Sequence, residues 1–375
     1  MSFASWLRRI TSLSITLLVV LLPALVAGIG IDRPARGEEQ KRIRAVLALS
    51  PDEGREPGSI PGRWFFRTTL PERLVELGPK SLDQEPERTQ AVTYARFVGL
   101  LGMLLISCAL YLTLASSRGQ AVALLACIAL ATLPAVSVEG VVLRPEIPAA
   151  GTTLLALAVI LAAQVLDRPL GRIADSTRHA IMAALAVGSG ALVGLAAAFL
   201  PQAWYVARVP AIVLFLTTAS LTILVPRLLR RGREVPLLAI GRRLVFWLAT
   251  MLAWPAMCVL VLLVGYEGGT PGLSFSASEV GLMPAGTVGT VLAMALAVLG
   301  AASWIRTAGR QISLGARLTS TTVLMVYVVV ELVQRSTCRP GDDALLSTVA
   351  LAMPIGEGAA IVMRALIRAV AGRLR

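Results

Sequence analysis

The chain has almost no histidine: His179 is the one example in 375 residues. A zinc site built from imidazoles or a catalytic triad needs histidine beside other ligands or beside a nucleophile. His179 instead follows Arg178 at the start of an apolar run. A metal site or a triad built on histidine is therefore excluded, and we expect any acid or base chemistry to fall to carboxylates.

Cysteine is also scarce, with four residues in the whole chain. Cys108, Cys127 and Cys258 lie inside apolar runs, and Cys338 lies in a polar connection. No Cys-x-x-Cys pair is present in the sequence. This spacing argues against a disulfide framework and against a zinc site.

Charged residues make up only 15% of the chain, whereas hydrophobic residues make up 56% and the mean hydropathy is +0.76. A soluble domain of this length does not normally have that composition. The sequence therefore predicts an all-α, polytopic membrane protein, because helices satisfy their own backbone groups in lipid.

Ten apolar stretches run through the chain, each of about 18 to 24 residues, enough to cross roughly 30 Å of hydrocarbon as a helix. They are 11–30, 93–114, 119–137, 148–166, 179–200, 209–226, 244–265, 283–304, 317–334 and 345–363.

The arginines in the short connections fall mainly on one side of this arrangement. With the N-terminus in the cytoplasm, the inner segments hold 19 arginines, whereas the short outer connections hold Arg144, Arg208, Arg335 and Arg339. The positive-inside rule then predicts that both termini are cytoplasmic. The net charge of +13 is explained by these residues facing anionic lipids at the cytoplasmic face, and it does not indicate a nucleic-acid partner.

This topology divides the chain into five segments. They are a first transmembrane helix (1–30), an extracytoplasmic loop (31–92), transmembrane helices two to six (93–226), a basic cytoplasmic loop (227–243), and transmembrane helices seven to ten with a basic tail (244–375).

The first apolar run has some features of a secretory signal, since Arg8 and Arg9 precede it. The run is longer than a usual signal core, and Leu25 fits the small-residue cleavage pattern poorly. We predict that it is retained as a helix.

The long loop at 31–92 is the one sizeable extramembrane segment that this topology leaves. A loop of this length in a tightly connected bundle is usually functional or disordered. Residues 37–49 place apolar side chains at helical spacing, and 70–77 repeat the pattern after the aromatic group 64–66. The sequence therefore predicts amphipathic helices that lie along the outer membrane surface.

Five short motifs occur in an order that is typical of one family. They are Gly37-Glu38-Glu39-Gln40 in the loop, Tyr94 to Gly102 at the start of the second span, Leu143-Arg144-Pro145-Glu146 before the fourth, Gly190 to Ala198 in the fifth, and Val209-Pro210-Ala211 at the start of the sixth. Over about residues 11 to 226 the chain resembles the polyprenyl-phosphate-sugar-dependent membrane glycosyltransferases of the GT-C superfamily, which include protein mannosyltransferases and aminoarabinose transferases. The resemblance implies a multi-pass protein of the bacterial cytoplasmic (inner) membrane that transfers a sugar from a polyprenyl-phosphate donor to an acceptor on the outer face.

Transfer of this kind requires a base, and the resemblance implies Glu38 or Glu39 for that role. A carboxylate near the outer leaflet accepts the proton of the acceptor as it attacks the anomeric carbon. An acidic pair that opens a helix is also explained by favourable interaction with the helix dipole, and this alternative remains open.

The leaving lipid phosphate requires cations, and Arg96 and Arg144 are the expected ligands, since arginine can bind a phosphate through two parallel hydrogen bonds. Both arginines can instead extend to the membrane interface or pair with Glu139 or Glu146. Glu146 can also bind the acceptor or a metal. The resemblance leaves a divalent metal cofactor open, because relatives differ in using one.

Two carboxylates, Glu331 and Glu357, fall inside the ninth and tenth spans. A charge inside the membrane is energetically costly, so these residues are candidates for a functional role. Glu357 follows Pro354 and lies between Gly356 and Gly358, a combination that can interrupt a helix. An ion-coupled transporter that uses these residues is one alternative function. A non-catalytic subunit, held in a larger complex by its outer loop, is another.

Overall fold

The computed structural model describes residues 3–31, 85–141, 146–166, 286–313, 320–337 and 344–373, together with Leu252 and twelve positions between 177 and 192. The secondary structure of these ranges is helical, so the all-α prediction is confirmed there. The helices are α1 (Phe3–Gly28), α2 (Glu85–Ser117), α3 (Gln120–Thr132), α4 (Pro134–Glu139), α5 (Glu146–Leu166), α6 (Thr287–Ser313), α7 (Ser320–Thr337) and α8 (Ala344–Arg373). The predicted amphipathic loop helices, half of the fifth span, the sixth span and the seventh span apart from Leu252 lie outside the described residues.

Four of these helices are long and apolar enough to cross a membrane. Their apolar segments are Thr11–Gly28, Val92–Ser117, Thr287–Ala308 and Ser347–Gly372. Large apolar side chains such as Leu17 on α1, Val288 on α6 and Ile367 on α8 lie exposed on the helix surfaces. Exposed apolar faces on helices of this length are suited to contact with lipid, and the chain is a multi-pass membrane protein.

The third predicted span, 119–137, is interrupted in the structure. Helix α3 ends at Thr132, Leu133 is extended at φ −81° and ψ 136°, and the short helix α4 then starts at Pro134. The break follows from Pro134, because proline cannot donate a backbone hydrogen bond and disfavours helical geometry in the residue before it. Helix α2 also differs from the prediction, since it begins at Glu85, eight residues before the predicted second span.

The first helices alternate in direction, as their contacts show. The end of α1 lies beside the start of α2, because Gly28 is against Leu100 and Arg96 reaches Ile31. Helices α2 and α5 run in the same direction, since Gly151 lies against Leu105 and the Thr113 hydroxyl donates to the Leu154 carbonyl, 3.1 Å away. The end of α1 and the starts of α2 and α5 therefore lie at one end of the bundle.

Helix α8 is held between α6 and α3 by glycine contacts. A Cβ added at Gly358 would overlap the Leu296 carbonyl, and one added at Gly300 would overlap the Pro354 carbonyl. On the other side of α8, a Cβ at Gly356 would lie 2.6 Å from the backbone nitrogen of Ala126. Helix α8 nevertheless continues through Pro354 to Arg373, so the predicted interruption is absent. Small residues allow this close backbone packing, as they do generally between membrane helices.

Helices α6 and α8 run in opposite directions, because Leu296 pairs with Gly358 while Gly300 pairs with Pro354. Leu292 of α6 and Val370 of α8 accordingly line one apolar groove. The predicted topology differs, since one span between the eighth and the tenth would make them parallel. Helix α7, which lies between them in sequence, has 18 residues with polar groups at both ends. Within the described ranges, α7 is not among the helices apolar enough to span a membrane.

Candidate functional site

The end of α1 is enclosed by residues from α2 and α4. The Arg96 side chain is only 4% exposed, and its Nη1 donates to the Ile31 carbonyl at 2.7 Å and lies 3.5 Å from the Gly30 carbonyl. From the other side, Gly30 approaches the Ser137 carbonyl so closely that an added Cβ would lie 3.3 Å from it. We call this region, defined by Gly30, Ile31, Arg96 and Glu139, the loop end of the bundle.

Glu139 is the last residue of α4 and is 2% exposed. The next residue, Gly140, packs against α1, because a Cβ added there would lie 2.9 Å from the Cβ of Ala27. A larger residue at position 140 would push α4 away from α1. Gly140 thus allows the buried carboxylate of Glu139 to lie beside the last turn of α1. The long loop begins directly after this turn in the sequence.

The structure brings some of the predicted site residues to the same end. Arg96 and Glu139 both lie at the loop end, and α5 begins there with Glu146, of which the backbone is described. Glu38, Glu39 and Arg144 lie outside the described residues. Their assignment as base and phosphate ligand remains a prediction, although the loop with Glu38 and Glu39 continues in sequence from Ile31.

A second polar cluster was not predicted from the sequence. Arg118, in the turn between α2 and α3, binds Glu357 of α8 through two hydrogen bonds, Nη2 to Oε1 at 2.5 Å and Nε to Oε2 at 3.0 Å. The Thr321 hydroxyl accepts a bond from Arg118 Nη1 at 3.1 Å, and the Ser303 hydroxyl lies 3.4 Å from Glu357 Oε1. The cluster therefore joins the α2–α3 turn to α6, α7 and α8.

This cluster is buried and distant from the loop end. The Glu357 side chain is 2% exposed and that of Arg118 is 14% exposed. Arg118 follows Arg96 by 22 residues, nearly all of them in α2, which corresponds to about 33 Å along the helix. A carboxylate that binds a guanidinium in two places already has its counter-charge, so ion coupling through Glu357 would require this pair to open. Glu331 is also buried, at 2% exposure.

Among the residues that the structure describes, no group of three or more histidine, cysteine or acidic side chains could hold a metal ion. Glu38 and Glu39 lie outside the described residues. Whether a divalent metal binds beside this predicted base therefore stays open.

The fold of the chain is similar to that of solved oligosaccharyltransferase structures, which confirms the resemblance given by the sequence at the level of the fold. No protein-family model matches the chain. A search of curated proteins also finds no match.

The particular structures that the chain resembles are those of an oligosaccharyltransferase from Archaeoglobus fulgidus. The apo form superposes with a TM-score of 0.59 at 13% identity, covering 99% of this chain and 53% of that protein. The form tethered to an acceptor peptide gives 0.57 at 14% identity, covering 96% and 50%. The form named AglB, in complex with an inhibitory peptide and a dolichol-phosphate, gives 0.57 at 13% identity, covering 97% and 52%. The chain thus spans about half the length of these proteins.

Proposed function

We propose that this protein transfers a sugar from a polyprenyl-phosphate donor to an acceptor at the outer face of the bacterial cytoplasmic membrane. The main support is the fold similarity, which extends over nearly the whole chain to a protein solved with a dolichol-phosphate. The loop end adds chemical support, because a buried cation and a buried carboxylate lie beside the start of the loop that carries Glu38 and Glu39.

The proposed reaction is a displacement at the anomeric carbon. The acceptor oxygen or nitrogen forms a bond to that carbon and gives its proton to Glu38 or Glu39, while the bond from the carbon to the phosphate oxygen breaks. The polyprenyl phosphate leaves with the bonding electrons, and Arg144 stabilises its increased negative charge. Glu146 and Glu139 would orient Arg144 or bind the acceptor.

The double substitution Glu38→Ala and Glu39→Ala tests the proposed base. We expect the rate of polyprenyl-phosphate release to fall by roughly 100-fold or more, because general base catalysis typically contributes 10²–10⁴-fold. The assay uses purified protein with a panel of radiolabelled polyprenyl monophosphate sugars, with and without EDTA. Glu53→Ala with Glu56→Ala, in the same loop, is the matched control. Equal release by the double variant and the native protein would remove the base assignment.

The placement of the loop and the N-terminus can be tested without any substrate. Single cysteines at Asp52 in the loop, and at Ser2 and Arg233 on the predicted cytoplasmic side, are introduced after removal of the four native cysteines. We expect a membrane-impermeant maleimide to label intact cells at Asp52→Cys only, and to label the other two after permeabilisation. Labelling of Ser2→Cys in intact cells would reverse the proposed orientation. A fourth cysteine at Asp342 reports on the segment between α7 and α8.

A further inference from the structure

The turn after α1 is held by two backbone hydrogen bonds and by a hydrogen bond from Arg96. The Gly30 nitrogen donates to the Ala27 carbonyl at 2.9 Å, and the Ile31 nitrogen donates to the Gly28 carbonyl at 3.0 Å. The carbonyls at the end of a helix have no partner within the helix, and a cation placed there is favourable for the helix dipole. Arg96 satisfies the Ile31 carbonyl from α2, 65 positions away in the sequence.

This contact fixes the residue from which the loop starts. Ile31 is held by Arg96 on one side, while Gly30 is held against the Ser137 carbonyl and the Val141 side chain on the other. Glu38 follows Ile31 by seven residues, so its backbone cannot lie more than about 25 Å from Ile31 even in an extended chain. The position of Ile31 therefore limits how far from the loop end Glu38 and Glu39 can lie.

We propose that Arg96 is a positioning residue, which holds the Ile31 carbonyl and so sets the starting direction of the loop that carries the acidic pair. The catalytic consequence rests on the proposed function, but the positioning itself does not. Arg96 is 4% exposed and its Nη1 is bound to a backbone carbonyl. It is thus poorly placed to bind a lipid phosphate through two parallel bonds, so the proposed function assigns the phosphate contact to Arg144.

A spin label on Asp32→Cys measures the positioning directly. The four native cysteines are replaced by alanine, and the mobility of the label is compared by electron paramagnetic resonance in detergent. We expect the label to be immobilised when Arg96 is present. In Arg96→Gln we expect the rotational motion of the label to be at least twofold faster. Arg96→Lys is expected to fall between the two, because an ammonium group can still donate to the Ile31 carbonyl but is shorter. Arg306→Gln, an exposed arginine of α6, is the control and is expected to leave the mobility unchanged.

A label that is already mobile with Arg96 present, or that stays immobile in Arg96→Gln, would overturn the positioning role. The Arg96→Lys variant keeps the charge and the donor, so it provides the comparison if Arg96→Gln does not fold. This readout needs no substrate, and it therefore decides the role of Arg96 even if no donor in the panel is turned over.

Kinetics then separate positioning from phosphate binding. We expect Arg96→Gln to lower kcat at least tenfold with the donor KM within twofold of the native value, because a displaced base slows the chemical step without removing a donor contact. Arg144→Gln is expected to raise the donor KM at least tenfold. A raised donor KM in Arg96→Gln, with the label still immobile, would show that Arg96 binds the phosphate.

Discussion

Gly358→Ala is expected to destabilise the protein by about 3 kcal/mol, near the upper end of the usual cost of overpacking a closely packed interface. The added Cβ would overlap the Leu296 carbonyl of α6, which is backbone and cannot rotate away as a side chain could. Helices α6 and α8 would have to separate along their contact. Unfolding of the purified protein in detergent, followed by circular dichroism against temperature or denaturant, measures the change.

The same helix supplies a matched control. Gly372 also lies in α8, but a Cβ added there meets no atom within 4 Å in the described structure. Gly372→Ala is therefore expected to be neutral or to stabilise by about 0.4–1 kcal/mol, because alanine reduces the freedom of the unfolded chain. If both substitutions change stability in the same direction and by the same amount, the close contact between α6 and α8 is wrong.

The bounds of several helices were predictable because they depend on local sequence. Long apolar runs predicted the end of α1, both ends of α5 and the start of α8 within a few residues, since lipid thickness sets the length of a span, whereas α1 begins eight residues before the predicted span. The break at Leu133 was also visible in the sequence, as Pro134 lies within the predicted third span. We predicted a continuous helix because the average hydropathy of 119–137 outweighed the effect of one proline, whereas the backbone responds to the proline itself.

The side-chain partners could not be predicted, because they depend on which helices pack together. Arg96 was expected to bind phosphate from its position near the outer end of a span, and nothing in its neighbourhood in sequence points to Ile31, 65 positions earlier. The positive-inside rule assigns sides from arginine counts and does not report helix pairs. It therefore placed Arg118 among the topology determinants, although this residue binds a carboxylate 239 positions later.

The opposite directions of α6 and α8 have the same origin. A hydropathy count treats each apolar run as one crossing, so 317–334 was counted as a full span. Its helix α7 buries one face, with Leu324 and Tyr327, and carries Glu331 on that face as well. Buried polar groups of this kind reduce the apolar character of the run without preventing it from packing against α8.

Glu357→Gln is expected to destabilise the protein by about 3 kcal/mol, because it leaves the partly buried Arg118 guanidinium without a counter-charge. We expect the lower end of the usual 3–5 kcal/mol for a broken buried pair, roughly 3, since Arg118 remains 14% exposed and retains Thr321 as a partner. Unfolding in detergent measures this change. Arg364→Gln, which removes an exposed charge two turns further along α8, is the control and is expected to change stability by less than about 0.5 kcal/mol.

The double variant Arg118→Gln with Glu357→Gln shows whether the pair acts as a unit. We expect it to be less destabilised than the sum of the two single variants by at least about 1 kcal/mol, because removing both charges leaves no isolated ion in the interior. The same variants distinguish the transporter alternative. If the protein couples an ion through Glu357, folded Glu357→Gln protein would lose flux in proteoliposomes. If the pair is purely structural, the main effect of Glu357→Gln would be lower stability of the protein. The structural role of the pair would be contradicted if the changes in unfolding free energy were additive and each single variant were nearly as stable as the native protein. Glu357 would then again be a candidate for ion coupling.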